Sequence, residues 1–253
     1  MTQPGARYTD RVVVVTGGGN GLGLAYARGF AAEGASVVVA DIDGATARDG
    51  AAAIMAAGGR ALAAEVDVAD EASVAAMVRD AESAFGGIDV LVNNAGLHLG
   101  RYNECSTLPV ADWRRIFDVN VLGAVLCARE CRVSMAGRGG VILNQASVAA
   151  WSNAAGAYGA TKLALTSVTM SLATEFAPDG IRVIAIAPGA FMSEAVQAGL
   201  LPEQREIVLA GQLTRDLGVP DDLVPMVLFL CSHEARFANA ATYTYDAGFT
   251  KRI

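Results

Sequence analysis

The 253-residue sequence predicts an α/β chain built on a doubly wound parallel sheet of about seven strands, with helices on both faces. Three observations carry this reading. Short β-branched apolar runs alternate with longer helical stretches, the pattern of repeated strand–helix–strand units with right-handed crossovers. The apolar runs end repeatedly in Gly, Asn or Asp, so polar and small residues gather on one rim of the sheet, where ligands of such sheets bind. Glycine, at 28 residues, and alanine are abundant, which suits helices packed closely on a sheet.

Composition narrows the possibilities further. With 53% hydrophobic and 18% charged residues, the chain is long enough to bury a large core, and 1–253 reads as a single domain. Net charge is −7 and no Lys/Arg-rich run occurs, which argues against nucleic acid or an anionic membrane as partner. The apolar run at 12–15 is far too short to span a membrane. Residues 1–10 are polar and lack the apolar core of a secretory signal, so a soluble cytoplasmic protein is expected. The four cysteines are Cys105, Cys127, Cys131 and Cys231. Cys127 and Cys131 share a helical spacing, but His98 and His233 offer no matching ligand pattern. Reduced thiols, and no metal, are expected.

Taken in order, residues 11–16 read as a buried strand. The turn Gly17-Gly-Gly-Asn20-Gly21-Leu22-Gly23 follows at once, then a helix over 24–33 stopped by Gly34. Glycines let a backbone turn tightly and approach a pyrophosphate, and the helix N-terminus aims N–H groups at it. Residues 36–41 form a second strand ending in Asp41, 18 residues past Gly23. A carboxylate there accepts bonds from a ribose 2′-OH and repels a 2′-phosphate, which predicts NAD over NADP. A helix over 44–57, a strand over 60–66 ending at Asp67-Val68, a helix over 71–85 and a strand over 88–92 follow. That fourth strand leads into Asn93-Asn94-Ala95-Gly96.

Residues 109–135 read as one long helical stretch. Within it, Asn120 interrupts an apolar face and needs either a hydrogen-bonded core role or a catalytic one. A fifth strand over 140–147 ends in Ser147, and a helix over 156–176 carries Tyr158 and Lys162. Four residues apart on a helix, these two lie on the same face. An ammonium beside a phenol stabilises phenolate and lowers a tyrosine pKa from its usual value of about 10. A sixth strand over 181–187 ends at Pro188-Gly189, and a seventh over 241–245 closes the sheet.

These motifs, in this order and nearly end to end, resemble the short-chain dehydrogenase/reductase family in its single-domain form of roughly 250 residues. The matching residues are Thr16 to Gly23, Asp67-Val68, Asn93 to Gly96, Asn120, Ser147, Tyr158 with Lys162, and Pro188-Gly189. The resemblance implies a Rossmann-like fold and reversible hydride transfer between a secondary alcohol and a nicotinamide. It implies Tyr158 as acid/base on the substrate oxygen and Ser147 as a hydrogen-bond donor to the same oxygen. Lys162 would hold the nicotinamide ribose, and Asn120 would fix a water in a proton relay. Gly17, Gly19, Asn20, Gly21, Leu22 and Gly23 would cradle the pyrophosphate. Asp41 and Ile42 would meet the adenosine ribose, and Asp67 and Val68 the adenine. Asn94, Ala95 and Gly96 would line the cleft, with Pro188, Gly189 and Ser193 at the nicotinamide. It also implies a homotetramer with its long helices at the interface.

Three segments depart from the family pattern. The step from Ser147 to Tyr158 is 11 residues, about two shorter than usual, so Ser152 is a second candidate for the catalytic serine and Trp151 for a pocket wall. Asn239-Ala240 and Asp246-Ala247-Gly248 replace the usual Thr-Gly and Asp-Gly-Gly. Residues 190–215 read as a mobile apolar lid, either for substrate recognition or simply for its own packing. His98 is either a substrate contact or a rim histidine. The expected substrate is a hydrophobic alcohol or ketone: a 3-hydroxyacyl thioester, a hydroxysteroid-like or an alicyclic alcohol. The alternatives are a 3-oxoacyl carrier-protein reductase and a non-catalytic dinucleotide sensor.

Overall fold

A computed structural model describes residues 7–98, 100–152, 154–193 and 202–250. Among them, seven strands form one sheet in the order β3-β2-β1-β4-β5-β6-β7. They are β1 (Val12–Thr16), β2 (Ser36–Asp41), β3 (Arg60–Glu65), β4 (Val90–Asn93), β5 (Val141–Gln145), β6 (Arg182–Pro188) and β7 (Thr242–Tyr245). Every neighbouring pair is parallel. The chain starts mid-sheet, winds out to β3, returns to β4 and runs on to β7. That reversal between β1 and β4 makes the fold Rossmann-like and opens a crevice at the carboxyl ends of the strands.

The helices are α1 (Gly21–Ala32), α2 (Gly44–Ala56), α3 (Glu71–Phe85), α4 (Val110–Phe117), α5 (Gly123–Met135), α6 (Gly156–Phe176), α7 (Pro202–Gly211) and α8 (Pro220–Cys231). Alternate residues of each strand feed opposite cores. Val13, Val15, Val37, Val39 and Leu143 pack under α1, α2 and α8 through Tyr26, Phe30, Ile54 and Leu223. Val14, Val38, Leu91 and Ile142 pack under α3, α5 and α6 through Met77, Leu126 and Phe176. Burial on both faces explains why the inner strands β1, β2, β4, β5 and β6 carry apolar runs, each large side chain contributing about 1.5–3 kcal/mol, while the edge strands β3 and β7 are only partly buried. Asp43 caps α2 by accepting from Ala45 N at 2.8 Å, and Asp70 caps α3 by accepting from Ser73 N at 3.0 Å.

Two elements differ from the sequence expectation. The stretch 109–135 is not one α-helix: a π-helical turn, Asp118–Leu122, separates α4 from α5. Strand β5 stops at Gln145, so Ser147 lies two residues past the strand rather than at its end. There Ala146 N still donates to Ile186 O of β6 at 2.8 Å, while its bond to Asn144 O at 3.1 Å marks a tight turn in the chain. Ser147, in extended conformation, then caps a 3-10 turn, Val148–Trp151.

Candidate functional site

The sheet delivers Ser147 and α6 delivers Tyr158 and Lys162 to one place. Tyr158 is buried, at 8% exposure. Burial raises its pKa, and a hydrogen bond with the Ser147 side chain works against that. Ser147 therefore faces the phenol. The other candidate, Ser152, instead accepts from Ala154 N at 3.1 Å and shapes its own turn. The Lys162 ammonium sits 5.6 Å from the centre of the Tyr158 ring and donates to Gln145 O at 2.7 Å. Burial alone pushes its pKa down to about 8. In this structure the phenol is thus held up by desolvation, and the lysine is spent on the end of β5.

The π turn gives Asn120 its place. An extra residue in the helical turn rotates a polar side chain out of register with its apolar neighbours, a device common at functional sites. Asn120 Nδ2 donates to Leu97 O at 3.0 Å and to Thr161 Oγ1 at 3.1 Å, and Oδ1 accepts from Leu97 N at 2.7 Å. Thr161 in turn donates to Tyr158 O at 2.7 Å. Asn120 so ties the strand-end loop after β4 to the helix carrying Tyr158. Gly96 lies in the same corner, where a Cβ would come 3.2 Å from Asn120 Oδ1 and 3.6 Å from Lys162 Nζ.

On the opposite side of the crevice the glycine turn is tightly braced. Gly17 has φ +59°, and a Cβ there would meet Ala95 Cα at 2.9 Å. A Cβ on Gly19 would meet Thr46 Oγ1 at 2.5 Å and Asp41 Oδ2 at 2.9 Å. Gly19 N donates to that Asp41 oxygen at 2.9 Å, so the acid that ends β2 orients the turn itself. Asn94 Nδ2 donates to Thr16 O and Gly17 O, each at 3.0 Å, and Thr16 Oγ1 accepts from Asn94 N and Ala95 N, each at 3.1 Å. Asn20, although a favoured capping residue, makes no side-chain cap on α1. The first N–H groups of α1 therefore remain for an anion, and the donor set fits a dinucleotide pyrophosphate.

The remaining expected cofactor residues ring this crevice. Val68 is buried against Gly123, Asp67 accepts from Ala69 N at 3.0 Å, and Ile42 is exposed. Ser193 reaches the turn, its Cβ 3.6 Å from where a Cβ of Gly21 would be. Pro188 ends β6, and Gly189 N donates to Tyr245 O at 3.0 Å. His98 sits at the rim, its imidazole pKa lowered by desolvation and then by the Lys162 charge, so it faces the same site. In the expected lid, 194–201 lies outside the described residues, α7 spans 202–211, and 190–193 and 212–215 flank them without helix. An open cavity of about 600 Å³ beside α7 is lined by Met192, Arg205, Leu209, Arg215, Leu217 and Val219, and by none of the four expected catalytic residues. The buried thiols are inert, Cys127 and Cys231 being pushed up to about 12 by burial.

Reading the sequence missed Gln145, Thr161 and Tyr26, which hold the site from behind, and placed Thr16 in the glycine-turn motif without the role of its hydroxyl. One signal was available: of 19 basic residues only Lys162 and Lys251 are lysines. A chain that otherwise uses arginine keeps at 162 the cation whose pKa can fall.

Comparison with known proteins bears on the family and the fold. Residues 17–250 match the family model described as enoyl-(acyl carrier protein) reductase. An uncharacterised oxidoreductase of Mycobacterium tuberculosis is 41% identical over 246 residues, covering 95% of this chain and 98% of that protein. The cis-4-hydroxycyclohexanecarboxylate dehydrogenase of Sinomonas cyclohexanicum is 38% identical, covering 97% and 99%. Among solved structures, a 7α-hydroxysteroid dehydrogenase complexed with NADH and 7-oxo glycochenodeoxycholic acid superposes with a TM-score of 0.92 at 33% identity, covering 98% of this chain and 97% of that one.

Proposed function

The chain belongs to the short-chain dehydrogenase/reductase family, and we propose that it is an NAD-dependent dehydrogenase interconverting a hydrophobic secondary alcohol and its ketone. The observation that carries this is the convergence of Ser147, Tyr158 and Lys162 at the strand ends, facing a glycine turn oriented by Asp41. Bound NAD would supply the hydride acceptor, held by Gly17 to Gly23, Asp41, Asn94, Lys162 and Ser193. Ser147 donates a hydrogen bond to the substrate oxygen and fixes it beside the phenol. Tyr158 takes the hydroxyl proton in oxidation and returns it in reduction. Its pKa is high by burial, so it needs a nearby positive charge to ionise at working pH. Lys162 is the cation at hand, and its own pKa of about 8 keeps it able to exchange a proton. Asn120 holds the loop and α6 in register for that exchange.

The alicyclic and steroid alcohols acted on by the relatives, together with apolar residues in the 190–215 segment, support a ring-bearing alcohol as substrate. NAD is favoured over NADP by the Asp41 carboxylate, which would repel a 2′-phosphate. The whole chain is read as one cofactor-binding unit with a substrate lid at about 190–215.

The test is a paired titration with NADH and NADPH, followed by an NAD-linked screen of alicyclic alcohols, hydroxysteroids and 3-hydroxyacyl thioesters. Expected is tighter NADH binding and turnover of a cyclic alcohol. Equal affinity for NADPH would remove the argument from Asp41, and turnover confined to 3-oxoacyl thioesters with NADPH would assign a biosynthetic reductase instead. Tyr158→Phe should bind NADH normally and lose turnover by about 10²–10⁴-fold.

A further inference from the structure

Gln145 joins two helices that the reaction uses. Its carbonyl oxygen accepts from Lys162 Nζ of α6 at 2.7 Å, and its side-chain Oε1 accepts from the Tyr26 hydroxyl of α1 at 3.1 Å. Tyr26 is fully buried and Gln145 is 7% exposed. Tyr26 stands in the core that packs α1 on the sheet, among Val15, Phe30 and Leu143, and Gln145, two residues along β5 from Leu143, is on the same face of the strand. Apolar side chains would fill that space without the desolvation cost of a hydroxyl and an amide. A buried polar pair of this kind adds little net stability and instead fixes one arrangement.

We propose that Gln145 is a positioning residue for Lys162, locked by the Tyr26 hydroxyl, so that α1, which opens with the glycine turn, sets the place of the ammonium beside Tyr158. The proposal rests on the reading of Lys162 as the cation that serves the acid/base. Three features make the lock effective. Strand β5 ends at Gln145, which is paired with Ile186 of β6 and followed by Ala146 N donating to Ile186 O at 2.8 Å, so the sheet fixes its backbone from one side. The side-chain bond to Tyr26 adds a second restraint, from α1. Burial raises the Tyr26 pKa, so its hydroxyl remains a donor across the working pH range and the lock does not titrate with the site. The groups facing Lys162 are Tyr158 on its own helix, His98 from the loop after β4, and the uncharged Gln145; Cys231, from α8, faces Tyr26 rather than the lysine.

The test compares wild type, Tyr26→Phe and the shape-conserving double variant Tyr26→Phe/Gln145→Leu. The Lys162 Cε resonance is followed against pH in ¹³C-lysine-labelled protein; with two lysines in the chain, assignment needs only a Lys251→Arg control. The carbonyl bond favours the ammonium, so loosening it should lower the Lys162 midpoint, by about 0.5 pH unit in the double variant and less in Tyr26→Phe. NAD-linked kcat should fall about five-fold or more, with its pH profile displaced and the NADH dissociation constant changed less than two-fold. An unmoved Lys162 midpoint and an unmoved pH profile in both variants, whatever happens to melting temperature, would reduce the pair to a structural role. Failure of the parent reading looks different: wild type would turn over no alcohol with NAD, while the Lys162 midpoint still shifted in Tyr26→Phe.

Discussion

Lys162 shows how function and stability oppose each other at one residue. Its pKa falls from the usual 10.5 to about 8 because the ammonium is desolvated. Below pH 8 the lysine is charged in both folded and unfolded chains, and the cost of burying it is present in full. Between about pH 8 and 10.5 the folded protein releases the proton first, so stability rises with pH across that window. At about 1.4 kcal/mol per pKa unit the cost is on the order of 3 kcal/mol, part of it offset by the bond to Gln145 O. Lys162→Met should therefore be inactive yet more stable at pH 7 by about 1–2 kcal/mol, and should lose the gain between pH 8 and 10.5. Urea melts of both proteins at pH 7 and 9.5 check this. Two alanines make a second case. Ala240 and Ala247 both have φ +54°, in the left-handed region that glycine tolerates. They fall where the family pattern has glycine, so these departures carry backbone strain. Ala240→Gly and Ala247→Gly should each be neutral to stabilising by up to about 1 kcal/mol, because relief of strain outweighs the added chain entropy. A lower urea midpoint in both variants would contradict that.

Among the elements, strand β4 is fixed at both ends by polar residues, for different purposes. At its carboxyl end, Asn93 Nδ2 donates to Ala124 O and Asn144 Oδ1, and Asn144 Nδ2 donates to Thr169 Oγ1, a buried thread from sheet to α6. Just before its start, Asp89 accepts from Val12 N at 2.9 Å, from Arg11 Nη1 at 2.9 Å and from Arg138 Nη2 at 3.2 Å. Burial acts to raise the Asp89 pKa, but the bonds from Arg138, Val12 and Arg11 outweigh it and the net shift is downward. A depressed carboxylate stabilises above its unfolded pKa and loses that stabilisation as pH falls through its folded value. Asp89→Asn should cost about 2–4 kcal/mol at pH 7, because two guanidinium groups lose their shared anion. The deficit should shrink in acid, which melting curves at pH 7 and pH 3 would reveal. The sequence made such elements legible unevenly. While the capping roles of Asp43 and Asp70 went unread, the inner strands were readable because burial on both faces leaves mostly apolar residues in them, and α2 and α3 as helical stretches. The π turn at Asp118–Leu122 was not, since its residues continue the helical pattern and only the bonds of Asn120 to Leu97 show why the turn widens. The site residues that end strands were visible for the same reason, as polar breaks in apolar runs. Gln145 and Thr161 were hidden because their roles come from contacts 17 and 41 residues away in sequence.

For the whole molecule, two groups of exposed apolar side chains stand out on the described surface. The first is the outer face of α6. Leu163 and Met170 are about half exposed there, and between Lys162 and Glu175 the helix bears no charge at all. The second lies around the last strand: Phe229 of α8, Phe237, Tyr245 of β7 and Phe249 are all exposed, and β7 is an edge strand with unpaired backbone on its outer side. If each group of side chains meets its own copy on a second chain, the two contacts together build a four-chain assembly of dihedral symmetry, each closing one kind of dimer. We therefore expect wild type to sediment as a tetramer. Met170→Glu places a charge in the α6 contact and should leave dimers joined through the β7 edge. Phe237→Glu should leave dimers joined through α6, and the double variant should be monomeric. Sedimentation equilibrium distinguishes these masses directly. A monomeric wild type, or a tetramer untouched by both charges, would mean that these faces meet something other than a second copy of the chain.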